Sequence, residues 1–297
     1  MTKKGWITLG AACAVVVGIT VVNAVASAPK QVKDEAVTLY LDGKETPGLY
    51  TGVMQGGKPN GEGRFVCTQT FVNTSYAEDG ERIREAEDVA GMTYIGAWED
   101  GLLQGPAKGY WDNGKLYTEA TFVDGLRQGE GTTYAWDTGA VMYEGAFVDG
   151  AYQGQGTIYY TNGGYTVGTF AAGALCGPGK EYDGEGNLCY EGDYADDYWE
   201  GQGVYYHPGG NRYEGAFVKS NACGQGILYD KKGEKIYEGE WANNAFNGEG
   251  RWYGQSGKVA YEGHFVDGKE DGYGVEYYTD GAVYRKGQWK AGKYIGK

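Results

Sequence analysis

The chain has 297 residues, a net charge of −14 at pH 7, 55 glycines and 28 tyrosines. An aromatic content of 15% excludes a disordered chain, and the glycines lack a collagen-like G-X-Y period. The acidity argues against nucleic acid and anionic lipid headgroups as partners, and five cysteines are too few for a disulfide scaffold.

In chain order, Lys3 and Lys4 precede an almost wholly apolar run from Trp6 to Ala26. About 20 such residues can cross a bilayer as one helix. The run exceeds the usual signal-peptide core of roughly 7–15 residues, so residues 1–28 read first as a transmembrane anchor. Ala26-Ser27-Ala28 also fits a cleavage site, which leaves a removed signal peptide as the alternative. Both readings put the remainder outside the cytoplasm, single-pass or secreted, if Lys3 and Lys4 stay inside. Lys30 and Lys33 pull the other way. Residues 29–49 read as a tether.

From residue 50 to 297 the sequence repeats. Tyr143-Glu-Gly-Ala-Phe147, Tyr213-Glu-Gly-Ala-Phe217, Tyr237-Glu-Gly-Glu-Trp241 and Tyr261-Glu-Gly-His-Phe265 are copies of one motif, each followed by a Gly-x-Gly. Copies start at Tyr50, Tyr94, Thr118, Tyr143, Thr166, Tyr190, Tyr213, Tyr237 and Tyr261, with a truncated one at Arg285. In a strand, Tyr143, Gly145 and Phe147 share one face, and Glu144, Ala146 and Val148 the other. Asp149-Gly150 then favours a turn. Gly154 and Gly156 open a return strand that runs on to Tyr160. A strand glycine lets an aromatic ring lie flat across the backbone. One hairpin is marginal alone, so stacked copies are expected to extend one sheet. The fold expected is all-β: an elongated single antiparallel meander of stacked hairpins, preceded by one N-terminal hydrophobic helix.

The pattern Tyr-x-Gly-x-[Phe/Trp]-x-x-Gly-x-x-x-Gly-x-Gly resembles the MORN repeat. Trp111-Asp-Asn-Gly-Lys115, leading into Phe122-Val-Asp-Gly125, also resembles a bacterial variant found in antitoxin-like proteins. The resemblance implies a module for protein–protein or membrane contacts. Some MORN arrays are linked to phospholipids, a role the acidity here argues against. Thr118, Thr166, Ala107, Ala120 and Arg285 depart from the pattern and are expected to loosen packing locally. Residues 67–93 interrupt the period, and their charged part, Ala77 to Asp88, suggests a short helix or a protruding hairpin.

No catalytic constellation emerges, and the reading is non-enzymatic, without cofactor. His207 and His264 have no metal-ligand spacing. No serine sits in a Gly-x-Ser-x-Gly elbow. The Gly-x-Gly pairs lack the third glycine and helix of a nucleotide loop. Cys176 and Cys223 hold one repeat position two repeats apart, roughly 19 Å, too far to bridge. Asn73-Thr-Ser75 matches a short glycosylation motif.

One column stands out. Glu119, Glu144, Glu191, Glu214, Glu238 and Glu262 share a repeat position, about 10 Å apart if the hairpins stack. They read either as a solvated polar face or as a carboxylate stripe for a partner with a neutral or basic surface. A second column, Tyr110 to Tyr277, reads by default as core. The function expected is a non-enzymatic, membrane-tethered or exported scaffold for protein–protein interaction. The alternative is a carbohydrate- or cell-envelope-binding module using the tyrosine columns.

Overall fold

A computed structural model of the chain describes residues 28–69, 74–76, 82–84 and 90–296. The expected N-terminal helix, the charged part of the insertion and Asn73 lie wholly or almost wholly outside the described residues. Among those described, no helix is long and apolar enough to cross a membrane.

One 21-stranded antiparallel sheet carries the array. Strands β1 (Lys30–Leu41), β2 (Lys44–Gln55) and β3 (Lys58–Cys67) begin it. A separate short pair follows, β4 (Thr74–Tyr76) and β5 (Arg82–Arg84). Strand β3 then pairs directly with β6 (Thr93–Glu99), so the sheet is continuous across the insertion. From β6 to β23 (Lys293–Gly296) each strand pairs with the next.

Each repeat is one hairpin with a two-residue tip. In the copy at 143, β10 (Val141–Val148) turns at Asp149 (φ 50°) and Gly150 (φ 83°) into β11 (Ala151–Tyr159). Positive φ at both positions matches the strands' twist and explains the recurring Asp-Gly. The return strand thus begins at Ala151, three residues earlier than expected. Gly154 lies inside it, at φ 69°, where two residues bulge from the pairing with β10.

The two glycines of Gly-x-Gly therefore do different work. The first, Gly154 in this copy, supplies a left-handed backbone with nothing within 4 Å of where a Cβ would be. The second makes room: a Cβ on Gly156 would sit 2.6 Å from the Tyr143 hydroxyl and 2.7–2.8 Å from its ring. Tyr143 lies flat across Gly145 and Gly156, which face each other in register. That pairing continues from Gly52 to Gly287, with alanine only at Ala107 and Ala120. Tyr143 donates its hydroxyl to the Ala146 carbonyl at 2.9 Å, beside the bulge, and Tyr190, Tyr213 and Tyr237 do the same at 2.8–3.0 Å. That bond satisfies a buried polar group and is a reason for tyrosine over phenylalanine.

Fifth-position aromatics fill the spaces between the tyrosine rings edge-on, as Phe170 does against Tyr143 at 5.1 Å and 86°. At Thr166, which is buried, Leu175 covers the spine glycine in place of a ring. The departure is absorbed rather than left loose. Tips are also linked along the array: Gly150, Gly173 and Ser220 each donate their N–H to a carbonyl of the preceding hairpin at 3.0 Å.

Residues 29–49 are not a tether. β1 pairs with β2 along its length, and Leu39 and Leu41 join the buried cluster of the first repeats. Tyr40 bridges to Leu102 of β7 (Leu102–Tyr110), so the sheet rolls over its own apolar face at this end. The segment lacks the repeat motif but alternates apolar residues toward that face, and an array needs such a covered end. Cys176, Cys189 and Cys223 are free thiols.

Burial pushes the Tyr50 and Tyr143 hydroxyls from 10.0 up to about 12. Tyr190, Tyr213, Tyr237 and Tyr261 are raised by the same cause. The native state thus holds these protons where the unfolded chain releases them. Their contribution is complete below the unfolded value near 10 and is lost as pH climbs toward and through the folded values. Denaturant midpoints are expected to fall between about pH 9 and pH 11.5, together with the rise of tyrosinate absorbance. A midpoint flat across that window would contradict this burial.

Candidate functional site

The apolar face is structural. Tyr50, Tyr94, Tyr143, Tyr190, Tyr213, Tyr237 and Tyr261 are between 0% and 4% exposed. The opposite face is where side chains meet solvent, and the glutamate column lies there.

Sheet register sets the neighbours of each glutamate. Glu119 faces Lys108 on one side and Thr132 on the other. Glu144 lies between Thr132 and Thr157, and Glu191 between Lys180 and Val204. Glu214 is flanked by Val204 and Ile227, Glu238 by Ile227 and Arg251, and Glu262 by Arg251 and Val275. All six expected residues thus fall in one row across the sheet, separated by one intervening strand each time except between Glu144 and Glu191, where Thr157, Val167 and Lys180 of three strands intervene.

The row is not a bare acidic stripe. Lys108 pairs with Glu119 at 2.9 Å, Lys180 with Glu191 at 2.8 Å, Arg212 with Glu214 at 2.8 Å, Lys235 with Glu238 at 2.7 Å and Arg251 with Glu262 at 2.8 Å. Glu144 accepts from the Tyr159 hydroxyl at 3.1 Å. The Glu191 carboxyl is held below its usual range by the hydrogen bond from Lys180, and that of Glu238 by those from Lys235 and Tyr253. Such exposed pairs add only about 0–1 kcal/mol each to stability. Their larger effect is to fix the carboxylates in position. Three of the pairs join a cation to the glutamate eleven residues later, a spacing that sequence inspection could have found and did not.

The Tyr110-to-Tyr277 column is also on this face, not in the core as the default had it. Tyr159, Tyr206, Tyr253 and Tyr277 each donate to the column glutamate fifteen residues before, at 2.8–3.4 Å. The hairpin bulge sets this: Gly156 and Ile158 point to the apolar face, so Thr157 and Tyr159 point away.

Between two rows of side chains the glycine ladder leaves a channel. Its floor is Gly168, Gly179, Gly192, Gly203, Gly215 and Gly226. One wall interleaves Lys180, Glu191, Glu214 and Glu238 with Val167, Val204 and Ile227, and the other carries Gln155, Asp193, Gln202 and Gln225. The groove encloses about 1040 Å³. Residues on either side of a strand glycine are roughly 7 Å apart, so an extended polymer fits and an α-helix, with a diameter near 10–12 Å, does not. Among the charged lining residues, Glu191, Asp193, Glu214 and Glu238 stand against Lys180. Among the described residues no group of His, Cys, Asp and Glu is placed to hold a metal ion.

Nine segments match the family model described as MORN repeat: residues 50–69, 94–116, 119–139, 143–165, 167–188, 190–212, 213–235, 237–259 and 261–283. No curated protein matches the chain. A solved structure from Bacteroides caccae, described as a protein of unknown function, shares 14% identity over 78% of this chain and 80% of its own, with a TM-score of 0.18. That score is too low to carry an argument.

Proposed function

From the premise that the chain belongs to the MORN repeat family, we propose that it is a non-enzymatic scaffold whose groove face holds an extended segment of a protein partner. The observation that carries this is the channel floored by glycine and walled by positioned carboxylates and amides. Its charge suits a neutral or basic segment, and its width suits an extended one. Backbone groups of the floor are already bonded within the sheet, so the walls give the specificity. The carboxylates are engaged by the chain's own cations rather than aimed at a common point, which favours binding over hydrolysis. The apolar run from Trp6 to Ala26 supports tethering to, or export across, a membrane.

Peptides selected on the full chain from a random display library test this. Binders are expected to be enriched in Lys and Arg and to lose about tenfold or more in affinity on Glu191→Lys combined with Glu214→Lys. Binders indifferent to that double variant, with its fold intact by circular dichroism, would defeat the groove as the contact surface. The half-buried tyrosines beside the groove favour a second reading, a carbohydrate-binding surface. A glycan panel with loss of binding on Tyr206→Ala would support that reading instead.

A further inference from the structure

On the apolar face, three repeats lack a ring that the repeats on either side have, and the one at Tyr213 carries the smallest side chain there, Ala222, where the others carry Leu175 and Glu270. The second residue after each tip faces the fifth-position aromatic across the hairpin: Tyr152 opposite Phe147, Trp199 opposite Tyr194, Ala222 opposite Phe217 and Phe246 opposite Trp241. Where this residue is aromatic it stacks flat on the repeat's opening tyrosine. Tyr152 lies 3.7 Å from Tyr143 at 14°, Trp199 lies 4.4 Å from Tyr190 at 6°, and Phe246 lies 3.9 Å from Tyr237 at 7°. At Tyr213 the position is Ala222, and a cavity of about 560 Å³ opens there, with Trp199 and Phe246 among its walls.

The lining is aromatic and aliphatic, with Asn211, Ser220 and Asn244 among its polar members and no Asp, Glu, Lys or Arg. His207 also lines it, and in a chain of charge −14 this is a spot free of carboxylates. Size and lining are those of a small-ligand site. The flanking repeats show what chemistry fits, because each supplies a flat ring where Ala222 leaves space. We propose that this slot binds one neutral planar aromatic ring, free or carried on a partner's side chain, between the half-buried Trp199 and Phe246. The slot lies on the face opposite the groove and does not rest on the scaffold reading.

Titrating the full-length chain with indole, followed by ligand-observed NMR, tests this. Saturable binding at one site is expected, with cyclohexanol, of similar size but not flat, failing to compete. Ala222→Phe fills the slot and is expected to weaken indole binding about tenfold or more. Tyr152→Ala empties the corresponding place above Tyr143 and is expected to raise the stoichiometry to two. N-acetyltryptophanamide separates the sources: competition shows that a ring on a peptide enters, and failure restricts the slot to free rings. No saturable indole binding by the unmodified chain would overturn the proposal. So would a folded Ala222→Phe variant that binds within about twofold of it. If that variant does not fold, an unchanged stoichiometry in folded Tyr152→Ala overturns it instead.

Discussion

Gly250→Ala is expected to destabilise the array by about 3 kcal/mol, the upper end of overpacking costs. The new Cβ would lie 2.3 Å from the Tyr237 hydroxyl and 2.5 Å from the ring carbon that bears it. That ring is fully buried and bounded by Phe246 and Phe265, so it has little room to retreat. Gly233→Ala is the control. It sits in a turn at φ 83° with nothing within 4 Å of a Cβ, and its cost is backbone strain of about 1 kcal/mol. The chain shows what relief requires. Where Ala107 stands in the spine, the Tyr94 ring lies toward Gly109 instead, 3.3 Å from where a Cβ there would be, and Leu103 covers Gly96. Tyr237→Leu should therefore absorb much of the Gly250→Ala cost, and denaturant unfolding of the double variant should show positive coupling. Additive losses would mean that the ring is not what excludes the side chain.

Asp42→Ala is expected to cost about 3–5 kcal/mol, because it leaves the Arg127 guanidinium without its carboxylate in a nearly closed place. The two side chains are 12% and 11% exposed and 3.1 Å apart. Burial works against the charge of Arg127, but Tyr117 and Asp42 hold its pKa above the ordinary range. The guanidinium also lies 4.9 Å from the centre of the Phe147 ring. The pair fastens the β1–β2 tip to the third repeat, with the Asp42 N–H donating to the Gly125 carbonyl at 2.9 Å. Adding Arg127→Leu should recover most of the loss, since Leu103 and Leu175 occupy the same hairpin position elsewhere. Thermal unfolding with amide exchange of residues 30–41 reads both effects. A loss below about 1 kcal/mol for Asp42→Ala would show that the N-terminal strands are held by their apolar contacts alone.

Much of this architecture was legible in the sequence because the repeat enforces it. The alternation Tyr143, Gly145, Phe147 assigned faces correctly, and Asp149-Gly150 marked the tip. The position of the glutamates on one solvent face followed from the same alternation. Four things did not follow. The β1 strand carries no repeat motif, so only its pairing with β2 reveals it. The bulge at Gly154 decides which face Tyr159 takes, and a shift of one residue reverses that assignment. The second residue after each tip, from Arg127 through Ala222 to Phe246, is a column in space with no common residue type, so no consensus exposes it. Cation pairing of three of the glutamates was missed for a related reason: those partners are set by cross-strand register, eleven residues apart, rather than by neighbourhood along the chain.

The central claim is that the glycine-floored groove is where a partner lies. A photoreactive residue placed at Gln202, in the groove wall, with a control at the exposed Lys232, in the turn between two repeats, tests it most directly in the cells that make the protein. The account predicts a discrete protein adduct from Gln202 and none from Lys232, with the Gln202 adduct lost when Glu191 and Glu214 are replaced by lysine. A discrete adduct from Lys232 with none from Gln202, or a Gln202 adduct untouched by those replacements, would contradict it.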